Sequence, residues 1–245
     1  MPMRIDVVTI FPELFDLPLR TSIIGRAAEQ GIVEFATHDL REHGLGRHRS
    51  VDDYPYGGGA GMVMRPEPLF AALKPLRDAG ATVVLLDAAG ERLTDPLARE
   101  LAGMPHLALV AGRYEGIDDR VRSIVDREIS IGDYVLTGGE LPALVVIDAI
   151  VRLLPGAIQE ASHTGDSFAD GLLEYPQYTR PETYEGLDVP AVLLSGNHGE
   201  VDRWRRREAL RRTLLRRPDL LETAPLSNAD RKILRELADG DERSD

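Results

Sequence analysis

Cysteine is absent from the 245-residue chain, which excludes disulfides, cysteine metal sites and thiol nucleophiles. The sequence also lacks an N-terminal apolar signal segment and any apolar run of membrane-spanning length. These absences predict a cytoplasmic protein with no membrane partner. Because 43% of the residues are hydrophobic, the chain can bury a substantial core, either in one large domain or in two smaller ones.

Positive charge is scarce overall, since the formal net charge is −12, and such a balance argues against a polyanionic partner. One stretch differs: residues 203–217 contain eight arginines and a single acid, Glu208, with Trp204 among them. This run predicts a basic helix that ends before Pro218. Two interpretations stay open, a solvated helix face or a surface whose arginine forks bind the phosphates of a nucleic acid.

Short runs rich in branched residues alternate with helical patterns along the chain. The strand candidates are residues 4–10, 32–37, 82–87, 107–111 and 189–194. The helix candidates are residues 20–30, 66–79 and 95–102, each followed directly by a glycine. Such alternation predicts an α/β fold. An irregular polar stretch at 160–170 predicts a linker, and beyond residue 194 the sequence is almost wholly helical.

Glycines and isolated polar residues follow two of these predicted elements. Residues 112–118 come after the strand candidate at 107–111, and residues 131–142 lead into an apolar run at 143–154. Open α/β sheets bind ligands at strand ends of this kind, where glycine lets the backbone approach closely. The segment 137–140 also offers free N–H groups at the start of a helix. The sequence therefore predicts a ligand site at these two segments.

A further glycine-rich loop, residues 56–62, matches neither nucleotide-binding template. It has no lysine followed by Ser or Thr, and its glycine spacing differs from the dinucleotide fingerprint. It is interpreted either as a substrate-facing loop or as a set of tight turns.

Six segments in fixed order, at 51–59, 112–118, 131–142, 166–173, 178–182 and 193–198, resemble the bacterial tRNA (guanine-N1)-methyltransferases of the SPOUT class. The resemblance runs nearly end to end. It implies a knotted α/β domain with a mostly parallel sheet at 1–160, a linker at 161–170 and a helical tRNA-binding domain at 171–245. It also implies a homodimer in which the linker and C-terminal domain of one subunit complete the active site of the other.

The resemblance further implies transfer of a methyl group from S-adenosylmethionine to N1 of the guanosine immediately 3′ of the tRNA anticodon. A non-catalytic RNA-binding protein on the same fold is the alternative. Mg²⁺ is associated with the family, and any such ion would be held mainly by waters and one carboxylate. No metal site is expected at His163 or His198, because no further ligand stands at suitable spacing.

By resemblance, the cofactor contacts three segments. The residues are Leu86, Asp87, Ala88, Gly90, Gly112, Tyr114, Glu115, Gly116, Ile131, Gly132, Asp133, Tyr134, Val135, Leu136, Gly138, Gly139 and Pro142. Glu115 is also assigned to catalysis, because a carboxylate suits a sulfonium cation; as a residue alone it could equally begin a helix. Residues 87–91 lack the proline and the basic residue that are common in relatives.

The remaining catalytic assignments are Asp166 as the general base and Arg152 as the group that stabilises charge on the purine. Without the resemblance, Asp166 would be interpreted as a helix N-cap, and Arg152 has the alternative of a structural ion pair. The residues assigned to the RNA substrate are Asp52, Tyr56, Gly57, Gly58, Gly59, Ser162, Arg203, Arg206 and Arg207.

Overall fold

The computed structural model describes residues 1–159 and 165–241. The chain divides into two compact units, Met1–Gln159 and Glu160–Asp245. The predicted boundaries, with a separate linker at 161–170, stay a prediction, and its residues 161–164 lie outside the described part. Within that part, no helix combines the length and the apolar character that a membrane crossing requires.

The first unit is built on a five-stranded parallel sheet in the order β2-β1-β6-β5-β7. Its strands are β1 (Met3–Thr9), β2 (Val33–Asp39), β5 (Thr82–Arg92), β6 (His106–Ala111) and β7 (Arg127–Ser130), and a small antiparallel pair comprises β3 (Asp52–Asp53) and β4 (Val63–Met64). The helices are α1 (Glu13–Asp16), α2 (Ser22–Glu29), α3 (Pro66–Asp78), α4 (Asp95–Ala102) and α5 (Glu140–Val151), and short 3-10 helices lie at Pro18–Arg20, Leu40–His43 and Asp119–Ile124.

Both faces of the sheet are covered, as a parallel sheet requires. On one face, residues such as Leu109 pack with Ile147 of α5 and with residues of α2 and α4. On the other, residues such as Leu85 pack with Leu73 of α3. The α/β class with a parallel sheet is confirmed, and the trefoil knot stays a prediction.

The second unit is mainly helical over its described residues. It contains α6 (Ala191–Leu194), α7 (His198–Arg216), a 3-10 helix at Pro218–Glu222 and α8 (Asn228–Asp241), with a small hairpin of β8 (Thr183–Tyr184) and β9 (Leu187–Asp188). Asn197 caps α7, since its side chain accepts a hydrogen bond from the backbone N–H of Glu200. Leu210 and Thr213 on α7 are fully buried.

Two details of the predicted elements were wrong. The apolar run at 189–194 is not a strand: Pro190, which lacks an N–H for a sheet ladder, precedes the helical turn α6. The fifth strand of the sheet is β7, which was not predicted. It begins with two charged residues and therefore lacks a hydrophobic pattern. Arg127 and Glu128 are nevertheless satisfied there, because Arg127 pairs with Glu91 at 3.0 Å and Glu128 pairs with Arg122.

Asp6 is a fully buried carboxylate in β1, which lies between β2 and β6 in the sheet. Its oxygens contact Arg4 Nε at 2.7 Å, His38 Nε2 at 2.5 Å and His106 Nε2 at 2.6 Å. Burial raises the pKa of Asp6, but the hydrogen bonds from His38, Arg4 and His106 outweigh it and hold the pKa well below its usual range. The ionised carboxylate therefore stabilises the junction of three strands.

Replacing Asp6 with Asn should lower the free energy of unfolding at pH 7 by roughly 3 kcal/mol, since three polar partners lose a buried charge. A depressed folded-state pKa adds stability above the unfolded pKa, and that stability is lost as the pH falls. The wild type should therefore lose stability between about pH 5 and pH 3 more steeply than the variant. Urea unfolding across this range measures both effects, and parallel pH curves would contradict them.

Candidate active site

A cavity lies at the carboxyl edge of the parallel sheet, where the segments after β6 and β7 meet an irregular part of β5. The pairing of β5 with β7 shifts register between Leu86 and Glu91. The lining residues are Leu85 to Ala88, Gly112 to Ile117, Ile129 to Gly132, Tyr134 to Gly139, and Pro142. Sheet edges of this kind commonly bind ligands.

All the residues that were assigned to the cofactor line this cavity except Gly90 and Asp133. Gly90 instead packs against β7, since a Cβ built on it would lie 2.5 Å from the backbone of Glu128. The sequence assignment missed apolar wall residues such as Ile117 and Ile129. Ile129 was missed because it lies in β7, a strand that the sequence had not predicted.

Two glycines let the loops around the cavity cross at close range. A Cβ on Gly139 would lie 2.7 Å from Ala111 Cα, and one on Gly138 would lie 2.2 Å from Arg113 Nε. The backbone N–H of Gly139 donates to the carbonyl of Gly112 at 2.8 Å. Any larger residue at Gly139 would separate the segments that form the cavity.

A buried ionic network joins these same loops. Glu140, the first residue of α5, has a side chain that is 1% exposed. Its oxygens accept from Arg113 Nε at 2.8 Å and from Thr9 Oγ1 at 2.9 Å. Arg113 also donates to the carbonyl of Thr137 at 3.2 Å and lies over the ring of Phe11 at 4.7 Å. The network therefore fixes the end of β1, both loops and the start of α5.

Glu115 lies where the glycine-rich loop reaches the cavity. Its backbone N–H donates to the carbonyl of Met62 at 3.0 Å, and a Cβ on Gly61 would lie 2.3 Å from its carboxylate. It does not begin the following 3-10 helix, because Asp118 caps that helix by accepting from the backbone N–H of Arg120. The helix-start interpretation of Glu115 is therefore wrong.

The residues assigned to substrate in this region belong to the β3–β4 connection. Asp52 lies in β3, Tyr56 is fully exposed, and Gly57, Gly58 and Gly59 all have positive φ angles. The positive φ angles agree with tight turns, and the loop also contacts the cavity residue Glu115; its interpretation as a substrate-facing loop stays a prediction. Asp87, which also lines the cavity, pairs with Arg122 Nη2 at 2.9 Å.

Arg152 follows α5 as its C-terminal cap and is partly buried. It belongs to the first unit, whereas Asp166 belongs to the second. No helix starts at Asp166, since residues 167–170 form turns and the N–H of Ala169 donates to the carbonyl of Asp166 at 3.2 Å. A second cavity, within the second unit, is lined by Asp166, Asp170, Tyr175 and Arg205, among others.

Most arginines of the predicted basic helix, which is α7 and the residue after it, contact carboxylates. Arg207 pairs with Glu236 at 3.2 Å, and Arg206 pairs with both Asp170 and Asp230. Asp230, followed by Asp170, raises the pKa of Arg206. Among the described residues, Arg203 is exposed and has no such pair. The free positive charge of this helix is therefore smaller than its sequence indicates.

Some assignments lie beyond what the structure describes. Ser162 and His163 fall in residues 160–164, outside the described residues. Within residues 1–159 and 165–241, no three His, Asp or Glu side chains form a group that could hold a metal ion.

Known proteins are similar in sequence to this chain over nearly its whole length. The family model described as tRNA (Guanine-1)-methyltransferase TrmD matches residues 3–223. A tRNA (guanine-N(1)-)-methyltransferase of Dictyoglomus turgidum is 53% identical over 236 residues, which are 96% of each chain. The protein of that name from Chloroflexus aggregans is 57% identical over 242 residues, 96% of this chain and 95% of its own. With a match that spans both units and includes the cavity-lining loops, the chain belongs to the TrmD family of tRNA (guanine-1)-methyltransferases.

Proposed function

We propose that the protein transfers a methyl group from S-adenosylmethionine to N1 of a guanosine in tRNA. The observation that carries the proposal is the glycine-lined cavity at the carboxyl edge of the sheet, formed by the segments that the family match includes. The names of the relatives support the methyltransferase and not the non-catalytic RNA-binding alternative.

The cavity suits S-adenosylmethionine in its chemistry. Apolar side chains such as Ile129 and Leu136 can cover an adenine ring, and backbone groups can read its edge. The N–H groups of Val135 and Leu136 have no hydrogen-bond partner among the described residues, so they are available to a ligand. The Glu115 carboxylate, at the border with the glycine-rich loop, supplies a negative charge beside a cationic ligand.

When bound, S-adenosylmethionine would supply an electrophilic methyl group, and its S–CH3 bond would break to leave S-adenosylhomocysteine. The remaining chemistry belongs to the protein: the guanine N1 proton must leave as the new N–C bond forms, and Asp166 accepts it. The Arg152 guanidinium offsets the negative charge that develops on the purine. Any Mg²⁺ that takes part would be held mainly by waters and one carboxylate.

Recognition of tRNA is assigned to two groups of residues. The exposed Tyr56 and its neighbouring glycines, with Asp52 and Ser162, contact the target nucleotide, which is the guanosine 3′ of the anticodon. Arg203 and Arg207 on α7 contact the phosphates of the stem. Arg203 is the stronger candidate, because its charge is not offset by a carboxylate in the described part of the chain.

The protein is proposed to act as a homodimer whose active sites are shared between subunits. Helix α5 presents apolar side chains to solvent in the single chain, with Leu141 59% and Val145 45% exposed. The neighbouring loop adds Val135, which is 89% exposed. Exposed apolar side chains on one helix and its adjoining loop are typical of an interface.

The test is an incubation with radiolabelled S-adenosylmethionine and tRNA transcripts that differ only in the nucleotide 3′ of the anticodon, with and without Mg²⁺. Label should enter only the transcript with guanosine at that position, and nuclease digestion should give N1-methylguanosine. Label at another position would contradict the site assignment. Binding of tRNA without any label transfer would favour the non-catalytic alternative.

A further inference from the structure

Arg206 is tied to two carboxylates within the second unit. Its Nε and Nη2 contact the two oxygens of Asp230 at 2.9 and 3.0 Å, and its Nη1 contacts Asp170. One positive and two negative charges leave this cluster with a net charge of −1. A guanidinium held in this way is poorly placed to attract an RNA phosphate, although its position in the basic helix suggests that role.

Asp230 is itself held in place by hydrogen bonds, so that it fixes the position of Arg206. It also accepts hydrogen bonds from Ser227, from the backbone N–H at 2.9 Å and from Oγ at 2.7 Å, while its own N–H donates to Ser227 Oγ at 3.1 Å. This reciprocal arrangement is a capping box at the start of α8. The Asp230 side chain is only 6% exposed, so Arg206 is held against a rigid helix end.

Asp170, the other partner of Arg206, belongs to a compact loop of residues 166–174, here named the Asp166 loop. The loop is closed by its own hydrogen bonds, from Phe168 N–H to Leu172 carbonyl at 2.7 Å and from Glu174 N–H to Ser167 Oγ at 3.0 Å. Asp170 stands four residues after Asp166. Its position therefore constrains where the Asp166 carboxylate can lie.

The Asp166 loop is attached to α7 at three places. The N–H of Leu173 donates to Thr213 Oγ1 at 2.9 Å, and Arg212 donates to the carbonyl of Glu174 at 3.0 Å. Both contacts hold the far end of the loop. The Arg206 to Asp170 pair holds the part nearer to Asp166.

We propose that Arg206 is a positioning residue for the methyl-transfer reaction, which holds Asp166 in place through Asp170, and is not a phosphate contact. The inference rests on the proposed function, in which Asp166 is the general base. Misplacing a catalytic group by about 1 Å can lower a rate by about 10²-fold. The fork of Arg206 spans two carboxylates at once, which a lysine ammonium cannot reproduce.

The test compares Arg206→Lys and Asp170→Asn with Arg203→Ala in single-turnover methyl transfer, with separate measurement of tRNA affinity. The first two variants should lose up to about 10²-fold of the rate at saturating tRNA, with tRNA affinity unchanged. Arg203→Ala should instead weaken tRNA binding. Arg99→Lys, which alters a surface fork to Asp95 on α4, is the control with wild-type behaviour. Thermal unfolding monitored by Trp204, the single tryptophan, verifies that the second unit of each variant is folded.

Two further results test the positioning role of Arg206 separately from the role of Asp166 as the base. In an Asp166→Asn background, Arg206→Lys and Asp170→Asn should lower the residual rate no further, because they act through Asp166. A full saturating rate in both single variants, or weakened tRNA binding by Arg206→Lys alone, would overturn the positioning role. A wild-type rate in Asp166→Asn itself would overturn the proposed base, so the two failures are distinguishable.

Discussion

Asp166→Asn is expected to lose about 10² to 10⁴-fold of the methyl-transfer rate, which is the usual contribution of a positioned general base. Asparagine has nearly the same shape but cannot accept the N1 proton. The Asp166 loop is closed by contacts of its other residues, such as Phe168 with Leu172, so its conformation should persist. Single-turnover transfer at saturating cofactor and tRNA measures the loss directly.

The matched control is Asp78→Asn, which removes an exposed aspartate from a surface pair with Lys74 on α3. Its rate should equal that of the wild type, since isolated surface pairs contribute little. Cofactor and tRNA affinities of Asp166→Asn should also match the wild type. A rate within tenfold of the wild type at saturation would remove Asp166 from the role of base and leave the N1 proton to another acceptor.

The sequence predicted four of the five strands in the parallel sheet, because buried parallel strands are apolar along their whole length. It failed at β7, where Arg127 is neutralised by Glu91 and Glu100, which are distant in sequence, and Glu128 by the nearer Arg122. Ion pairs between distant residues leave no mark on a local pattern. The apolar run at 189–194 was wrongly predicted as a strand, because a short apolar run fits a strand or a helical turn equally well.

The cavity was predictable to the extent that its glycines follow strand ends. Glycine marks positions such as Gly139, where the backbone of Ala111 leaves no room for a side chain. What could not be predicted is which charged residues support those loops. Glu140 has no partner nearby in the sequence, and only the fold brings it to Arg113 and Thr9.

The basic helix shows why the charge of a surface cannot be predicted from the sequence alone. Eight arginines in sequence suggested a surface for phosphate, yet Arg206 and Arg207 meet carboxylates of α8, which follows in the chain. Local charge density counts only the neighbours in sequence. The charge that a ligand meets depends on acids that the fold brings nearby.

Arg113→Ala should be the most destabilising change at the cavity, lowering the free energy of unfolding by about 3–5 kcal/mol. The carboxylate of Glu140, 1% exposed, would lose its only ionic partner among the described residues while staying buried. The loops at 112–118 and 131–139 would also lose the bond from Arg113 to the carbonyl of Thr137. Affinity for S-adenosylmethionine should therefore fall together with stability, as measured by calorimetry and urea unfolding.

Arg120→Ala is the matched control for Arg113→Ala, since Arg120 pairs with Asp118 close by in the chain but is 69% exposed. Its cost should be no more than about 1 kcal/mol, because solvent screens an exposed pair. The double variant Arg113→Ala with Glu140→Ala should recover part of the lost stability, since it removes the unpaired buried charge. If the double variant is less stable than Arg113→Ala by the full cost of Glu140→Ala alone, the two side chains are not coupled. The loops around the cavity would then be held by glycine packing and backbone hydrogen bonds.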